Sequence, residues 1–162
     1  MARSKRLVID HSLHHVMARG NQKQKTFINE SDFLKYFDLL KHYKYKYRFE
    51  LYSYCLMPNH VHLIIKVQQG KDLRKIMQGL NQTYAIWFNE KYNKVGHLWQ
   101  GRYKDMLLQE DKYLLDCINY VESNPVRANL VKSPATYRWC SWNGRVGIRK
   151  DLLINQFNIT EQ

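Results

Sequence analysis

His60 and His62 stand two residues apart in the run Met57-Pro58-Asn59-His60-Val61-His62-Leu63-Ile64-Ile65. The run reads as a β-strand entered from a turn. Side chains alternate faces along a strand, so the two imidazoles point the same way, together with Ile64 and Lys66. Val61, Leu63, Ile65 and Val67 make the opposite face, which is wholly apolar and belongs to a core. Two imidazoles side by side on a rigid strand could grip one divalent ion, because neutral imidazole is a common metal ligand. They could equally be polar residues facing water or a helix, and the pair alone leaves both readings open.

A second group of chemistry-bearing residues lies downstream, on a helix expected from Tyr113 to Ser123. Leu114, Cys117, Ile118 and Val121 form its apolar stripe. Tyr113, Asp116, Tyr120 and Asn124 follow another line, at spacings of three and four that share a side of the cylinder. Tyr120 therefore sits beside the buried stripe, with Asn124 one turn on. A phenol, which can act as a nucleophile, and an amide carbonyl could be presented together to a neighbouring strand. The plainer reading makes Tyr120 a half-buried packing residue and Asn124 a helix cap.

The elements that must position these groups follow from periodicity. His11 to Arg19 reads as a strand closed by Gly20-Asn21. Asn29 to Arg48 and Asp72 to Lys91 read as amphipathic helices. Phe49 to Leu56 and His60 to Val67 form a hairpin around Met57-Pro58-Asn59, and a last strand falls within Leu98 to Gln109. Glu110 and Asp111 suit the positive end of the helix that follows. Asn124-Pro125 stops that helix, because a residue before proline avoids the helical region. A short helical turn can restart from Pro125. The order β-α-β-β-α-β-α predicts an α+β domain: an antiparallel sheet of ferredoxin-like split β-α-β character with helices packed against it. Residues 1–145 read as one domain and 146–162 as a C-terminal tail with room for a short helix.

Composition narrows the partners. Lys and Arg total 26 against 14 acidic residues, a net charge of +12 that favours a polyanion, nucleic acid foremost. Twelve tyrosines, four tryptophans and six phenylalanines would let such a surface stack exposed bases of a single strand, although many of these rings must be core. No apolar run reaches the length of a bilayer span. The basic N-terminus lacks the apolar core of a secretory signal, and the three cysteines make no framework or Cys-x-x-Cys pair. A cytoplasmic, membrane-free protein with reduced thiols is expected.

Four segments resemble one known family. Met57-Pro58-Asn59-His60-Val61-His62 is similar to the His-hydrophobic-His (HUH) motif of single-tyrosine transposases. Asn119-Tyr120-Val121-Glu122-Ser123-Asn124-Pro125-Val126-Arg127-Ala128 resembles the tyrosine helix of their REP-associated branch. Gly96-His97-Leu98-Trp99-Gln100-Gly101-Arg102-Tyr103-Lys104 is similar to the segment before that helix, and His15-Val16-Met17-Ala18-Arg19-Gly20-Asn21 to the first strand and its turn. The blocks occur in the family's order.

The resemblance implies a DNA strand transferase with Tyr120 as nucleophile and His60 and His62 as ligands of Mg²⁺ or Mn²⁺. Insertion-sequence relatives carry a glutamine four residues after the tyrosine as a further ligand; here Asn124 stands there, one methylene shorter. Lys66, on the histidine face, and Arg102, Lys104 and Arg127, near the matched blocks, are expected to hold phosphates. The partner would be single-stranded or hairpin DNA. The family contains dimers that complete each site in trans and members that act alone, so both a homodimer and a monomer are compatible. Two rivals stay open on the residues themselves. One is a non-catalytic module binding single-stranded nucleic acid, and the other a metal-dependent phosphodiesterase that uses water.

Overall fold

The computed structural model describes residues 6, 8–109 and 111–157. Glu110, expected at a helix start, lies outside the described residues, as do residues 1–5 and 158–162. The first strand, β1, is Leu13–Arg19. It begins later than periodicity suggested because His11 adopts φ 53°, a left-handed conformation that interrupts an extended run. Helix α1, Glu30–Tyr47, is started by Asp32, whose carboxylate reaches back to accept the backbone N–H groups of Ile28 at 2.7 Å and Asn29 at 3.1 Å. Strands β2, Glu50–Met57, and β3, His60–Lys66, form the expected hairpin around Pro58-Asn59. Helix α2 spans Asp72–Tyr92.

The last strand, β4, is only Lys104–Leu108. The stretch before it turns through Gly101 at φ 65°, after Trp99 has made a single bridge to Gly20. The tyrosine-bearing helix α3 covers Asp111–Glu122, and α4, Asn124–Arg127, restarts immediately with Pro125 in its first turn. A last short helix, α5, is Trp142–Arg145.

The strands order as β2-β3-β1-β4, all antiparallel to their neighbours. β3 is thus inserted between β1 and β2, which run parallel to one another: the split β-α-β arrangement. Val16, Ala18, Val61, Leu63 and Ile65 face α1 and α2 in a core that includes Tyr36, Leu40, Ile76, Leu80 and Phe88. Each such aliphatic or aromatic side chain contributes roughly 1.5–3 kcal/mol when fully buried. The opposite face is covered as well. Ile64, Cys55 and Met57 pack under Leu114, Ile118 and Val121 of α3, so the sheet is the middle of three layers.

The outer edge of β2 is closed by the chain's C-terminal part. Leu56 N–H donates to the Trp139 carbonyl at 2.9 Å, Ser141 N–H to that of Tyr54 at 3.0 Å, and Asn155 N–H to that of Leu51 at 2.7 Å. Ile154 is buried in the main core. An open strand edge invites pairing with other chains, and this one is occupied. Among the described residues no helix is long and apolar enough to cross a membrane.

Candidate active site

The alternation of β3 puts His60 and His62 on the α3 side, with ring centroids 5.0 Å apart and ring planes at 81°. α3 crosses above them and brings Tyr120 to the same place. The Tyr120 ring stands edge-on to His62, centroids 6.2 Å apart, and to His15 at 6.0 Å. Tyr120 is 50% exposed while His62 is 3% exposed. Tyr120 is therefore open to solvent, whereas the His62 imidazole beneath it is shielded. α3 ends at Glu122, and after Ser123 the buried Asn124 opens α4. Its amide lies against His60. His60, His62, Tyr120 and Asn124, read from separate segments, are thus brought together by the fold.

The electrostatics keep the imidazoles neutral. Burial pushes His62 down to about 3, with His60, His15, Arg127 and Arg19 adding in the same direction. His60 is lowered by burial and by Arg19, against an opposing contribution from the Asn124 side chain. Burial also lowers His15. Neutral imidazoles offer lone pairs. His60 Nδ1 lies 2.7 Å from Asn59 Oδ1, an oxygen that accepts, so its hydrogen belongs on Nδ1 and Nε2 is left as the donor to a cation. Among the described residues no group of three or more His, Cys, Asp or Glu side chains is placed to hold a metal ion. A site here would consist of two imidazoles and an amide oxygen, a donor set that fits a divalent cation without cancelling its charge.

The expected phosphate contacts divide. Arg127 lies over the Tyr120 ring at 3.9 Å. Lys104 is exposed on the histidine side of the sheet: Met17 of β1 pairs with His62 on one flank and with Lys104 on the other. Arg102 is exposed in the turn that leads into β4. Lys66 shares the histidine face but stands at the far end of β3, six residues and so roughly 20 Å from His60.

Three residues enter the site that the sequence did not single out: His15, Arg19 and Asn59. His15 Nε2 is 2.9 Å from His62 Nδ1. Arg19 faces His60 across the β1–β3 pairing and is exposed. The adjacent His14 goes to the other face, bonded to Ser12 Oγ at 2.7 Å and 3.4 Å from Asp105. Alternation alone says that only one of His14 and His15 could face the pair; which one depends on the strand register. A cavity of about 530 Å³, walled by His15, Met106, Leu108, Tyr113 and Cys117, opens beside Tyr120.

The site is anchored from behind by Glu122, the last residue of α3. Its Oε2 accepts from Arg145 Nε at 2.8 Å and Nη2 at 2.6 Å, and its Oε1 from Ser141 Oγ at 2.8 Å. Glu122 is buried and Ser141 bonds β2, so the tyrosine helix is tied to the sheet through one carboxylate.

Comparison with known proteins bears on the family and the fold. The family model described as "Transposase IS200 like" matches residues 8–124, from the approach to β1 through Asn124. A Haemophilus influenzae protein assigned as a REP-associated tyrosine transposase is 27% identical over 108 residues, covering 60% of this chain and 61% of that protein. The chain thus spans about three fifths of the length of this curated relative. A solved structure of a REP-associated tyrosine transposase bound to a REP hairpin superposes with a TM-score of 0.77 at 16% identity, over 100% of this chain and 95% of that one. A crystal structure assigned as a transposase from Deinococcus radiodurans matches with a TM-score of 0.50 at 16% identity, over 76% and 95% of the two chains. At such identities the two structures speak for the fold. The chain belongs to the IS200-like family, the single-tyrosine HUH transposases, and its likeness runs to their REP-associated branch.

Proposed function

We propose that this chain is a metal-dependent DNA strand transferase that cleaves and rejoins single-stranded or hairpin DNA through Tyr120. The observation that carries the reading is the meeting of an exposed phenol with two neutral imidazoles, His62 buried and His60 half-buried, and an amide at the junction of β3, α3 and α4. Family membership and the hairpin bound in the similar structure favour DNA as substrate, and the net charge of +12 suits a polyanion.

In the cleavage step Tyr120 Oη attacks the scissile phosphorus. A P–Oη bond forms and the P–O3′ bond breaks, leaving a 5′-phosphotyrosine and a 3′-hydroxyl that has gained the phenol's proton. The ester keeps the energy of the phosphodiester, so a second 3′-hydroxyl can reverse the step at a new junction without a nucleotide. His60 Nε2, His62 Nε2 and the Asn124 carbonyl would hold Mg²⁺ or Mn²⁺, which would supply Lewis-acid polarisation of the phosphate. His15 and Arg127 flank the phenol and limit its orientations. Arg19 and Lys104 place positive charge on the same side of the sheet, where the strand's phosphates would run.

End-labelled hairpin DNA incubated with the full chain and Mn²⁺, then run on a denaturing gel, tests the reading. The expected result is a denaturant-stable protein–DNA band that is absent in Tyr120→Phe, in His60→Ala and with chelator. Binding to the repeats that flank the gene with no such band would favour a non-catalytic DNA-binding module. Cleavage that survives Tyr120→Phe would favour hydrolysis by water.

A further inference from the structure

His15 belongs to the row of β1 that faces α3, across from Ile64 in the pairing with β3. It touches both halves of the candidate site. Its Nε2 lies 2.9 Å from His62 Nδ1, and the two rings stack with centroids 5.2 Å apart at 25°. The same ring meets Tyr120 at 6.0 Å and 70°.

A neutral imidazole carries one N–H. The short contact between His15 Nε2 and His62 Nδ1 therefore holds one hydrogen, with two alternative addresses. On His62 Nδ1 it leaves the His62 Nε2 lone pair free for a cation. On His15 Nε2 it drives the His62 hydrogen to Nε2 and closes that nitrogen to any metal. We propose that His15 is a positioning residue whose Nε2 accepts the His62 Nδ1 hydrogen, fixing the tautomer in which His62 Nε2 can ligate. The inference deepens the metal-dependent reading above and rests on it.

The neighbouring ligand supports this direction. His60 directs its Nδ1 at Asn59 Oδ1, 2.7 Å away, so it already holds its hydrogen on Nδ1 and presents Nε2. With His15 as acceptor, His62 does the same, and the pair offers matching nitrogens from one strand face. Metal-bound histidines are generally held this way, with the second nitrogen's hydrogen given to a neighbour that sets ring angle and basicity. Asn59 and His15 are then equivalent parts, one from the hairpin turn and one from the adjacent strand. The stacking geometry adds a second consequence. His15 meets both His62 and Tyr120 ring to ring and lines the cavity beside the phenol, so its ring holds the ligand and the phenol in fixed relation.

The test uses the full chain in four forms: wild type, His15→Leu, His15→Gln and His60→Ala. In metal-free wild type, ¹⁵N-detected imidazole spectra should place the His62 hydrogen on Nδ1. Free Mn²⁺ followed by electron paramagnetic resonance should show His15→Leu weakened about 10- to 100-fold. His15→Gln, whose side-chain oxygen can accept the same hydrogen, should recover most of that loss. Hairpin binding and circular dichroism of each variant report folding, and the wild-type spectrum decides the tautomer even if His15→Leu unfolds. A His62 hydrogen found on Nε2, or Mn²⁺ affinity unchanged in a folded His15→Leu, would overturn the proposal. Wild type binding Mn²⁺ no better than His60→Ala would instead remove the metal reading, with the spectrum still deciding the role of His15.

Discussion

The guanidinium of Arg127 lies over the Tyr120 ring, 3.9 Å from its centroid, and its Nη2 donates to the Tyr120 carbonyl at 2.9 Å. Its Nη1 donates to Ser123 Oγ at 2.5 Å. α4 is thereby folded back onto the last turn of α3, and the phenol is held against one cationic face. An interaction of this kind is worth about 0.5–2 kcal/mol, and 1.4 kcal/mol is tenfold in rate. Arg127→Ala is expected to slow single-turnover adduct formation roughly tenfold at saturating DNA. Arg127→Lys should fall between, since it keeps the charge and loses the planar fork. An unchanged rate in Arg127→Ala would show that the phenol needs no such brace.

Asn124 offers the proposed site its third donor, and the charge of that donor matters. A neutral amide leaves a bound cation's charge available to phosphate, whereas a carboxylate would cancel part of it. Asn124→Asp is expected to bind Mn²⁺ more tightly yet form adduct more slowly. Asn124→Ala should raise the Mn²⁺ needed for half-maximal adduct formation by about 10- to 100-fold, the usual cost of disturbing a metal's surroundings. Titrations of both variants separate these effects. Identical Mn²⁺ dependence in all three proteins would take Asn124 out of the ligand set.

Much of this arrangement was legible because it is local. Alternation along His60 to Val67 separates the histidine face from the core face, and helical spacing from Tyr113 to Asn124 puts Tyr120 and Asn124 on one side. The Asn124-Pro125 pair signals the end of α3 to within a residue or two, although Asn124 does not avoid the helical region and is itself the first residue of α4. The partnership of His15 and Arg19 with the histidines was not legible, because it depends on β1 lying beside β3 in one register, a pairing between distant segments. The same limit applies to Lys66. Alternation assigns it the histidine face, but the straight run of β3 carries it away from the site. The anchoring of Glu122 by Arg145 and Ser141 joins segments with little periodicity of their own, so spacing carries no trace of it.

That anchoring gives a stability prediction with a functional consequence. Removing one partner of a buried ion pair leaves an uncompensated charge and costs about 3–5 kcal/mol. Glu122 is 1% exposed and its carboxylate meets Arg145 in two hydrogen bonds. Arg145→Ala should therefore lower the urea midpoint substantially, and adduct formation should fall even where the protein remains folded, because the end of α3 loses its tie to β2. Glu122→Gln, which keeps the Ser141 hydrogen bond without a buried charge, should cost less. Equal stability of Arg145→Ala and wild type in urea titrations would contradict this account of α3.

Asp32, at the start of α1, makes the fold sensitive to acid. Burial alone would raise its carboxyl, but hydrogen bonds from Lys91 and Tyr92, both at 2.6 Å, and from the Ile28 and Asn29 N–H groups hold it below the ordinary range. A folded-state value below the unfolded one adds stability that is present above about pH 4 and lost as pH falls through the folded value. Asp32→Asn should be less stable than wild type by about 2–3 kcal/mol near neutral pH, the scale of charged hydrogen bonds. The gap should close as the medium is acidified below the wild-type carboxyl's own titration. Urea unfolding of both proteins across that range measures it, and a gap independent of pH would mean that the carboxylate's charge is not what α1 uses.

The basic residues around the site should differ in how they use their charge, and salt dependence can sort them. Removing a cation that neutralises one phosphate lowers the slope of log affinity against log salt by about 0.7 for a single strand. Arg19 faces His60 in register, and Lys104 lies across β1 from His62. Arg19→Ala and Lys104→Ala are therefore expected to reduce the slope and to slow adduct formation, since their charge reaches the scissile phosphate. Lys66, roughly 20 Å along β3 from His60, is too far along the surface to act on the bond being broken. Its alanine variant should reduce the slope and leave the single-turnover rate at saturating DNA unchanged. Slowed chemistry in Lys66→Ala at saturation would mean that the strand enters along β3 and that phosphates remote from the scissile bond set its alignment.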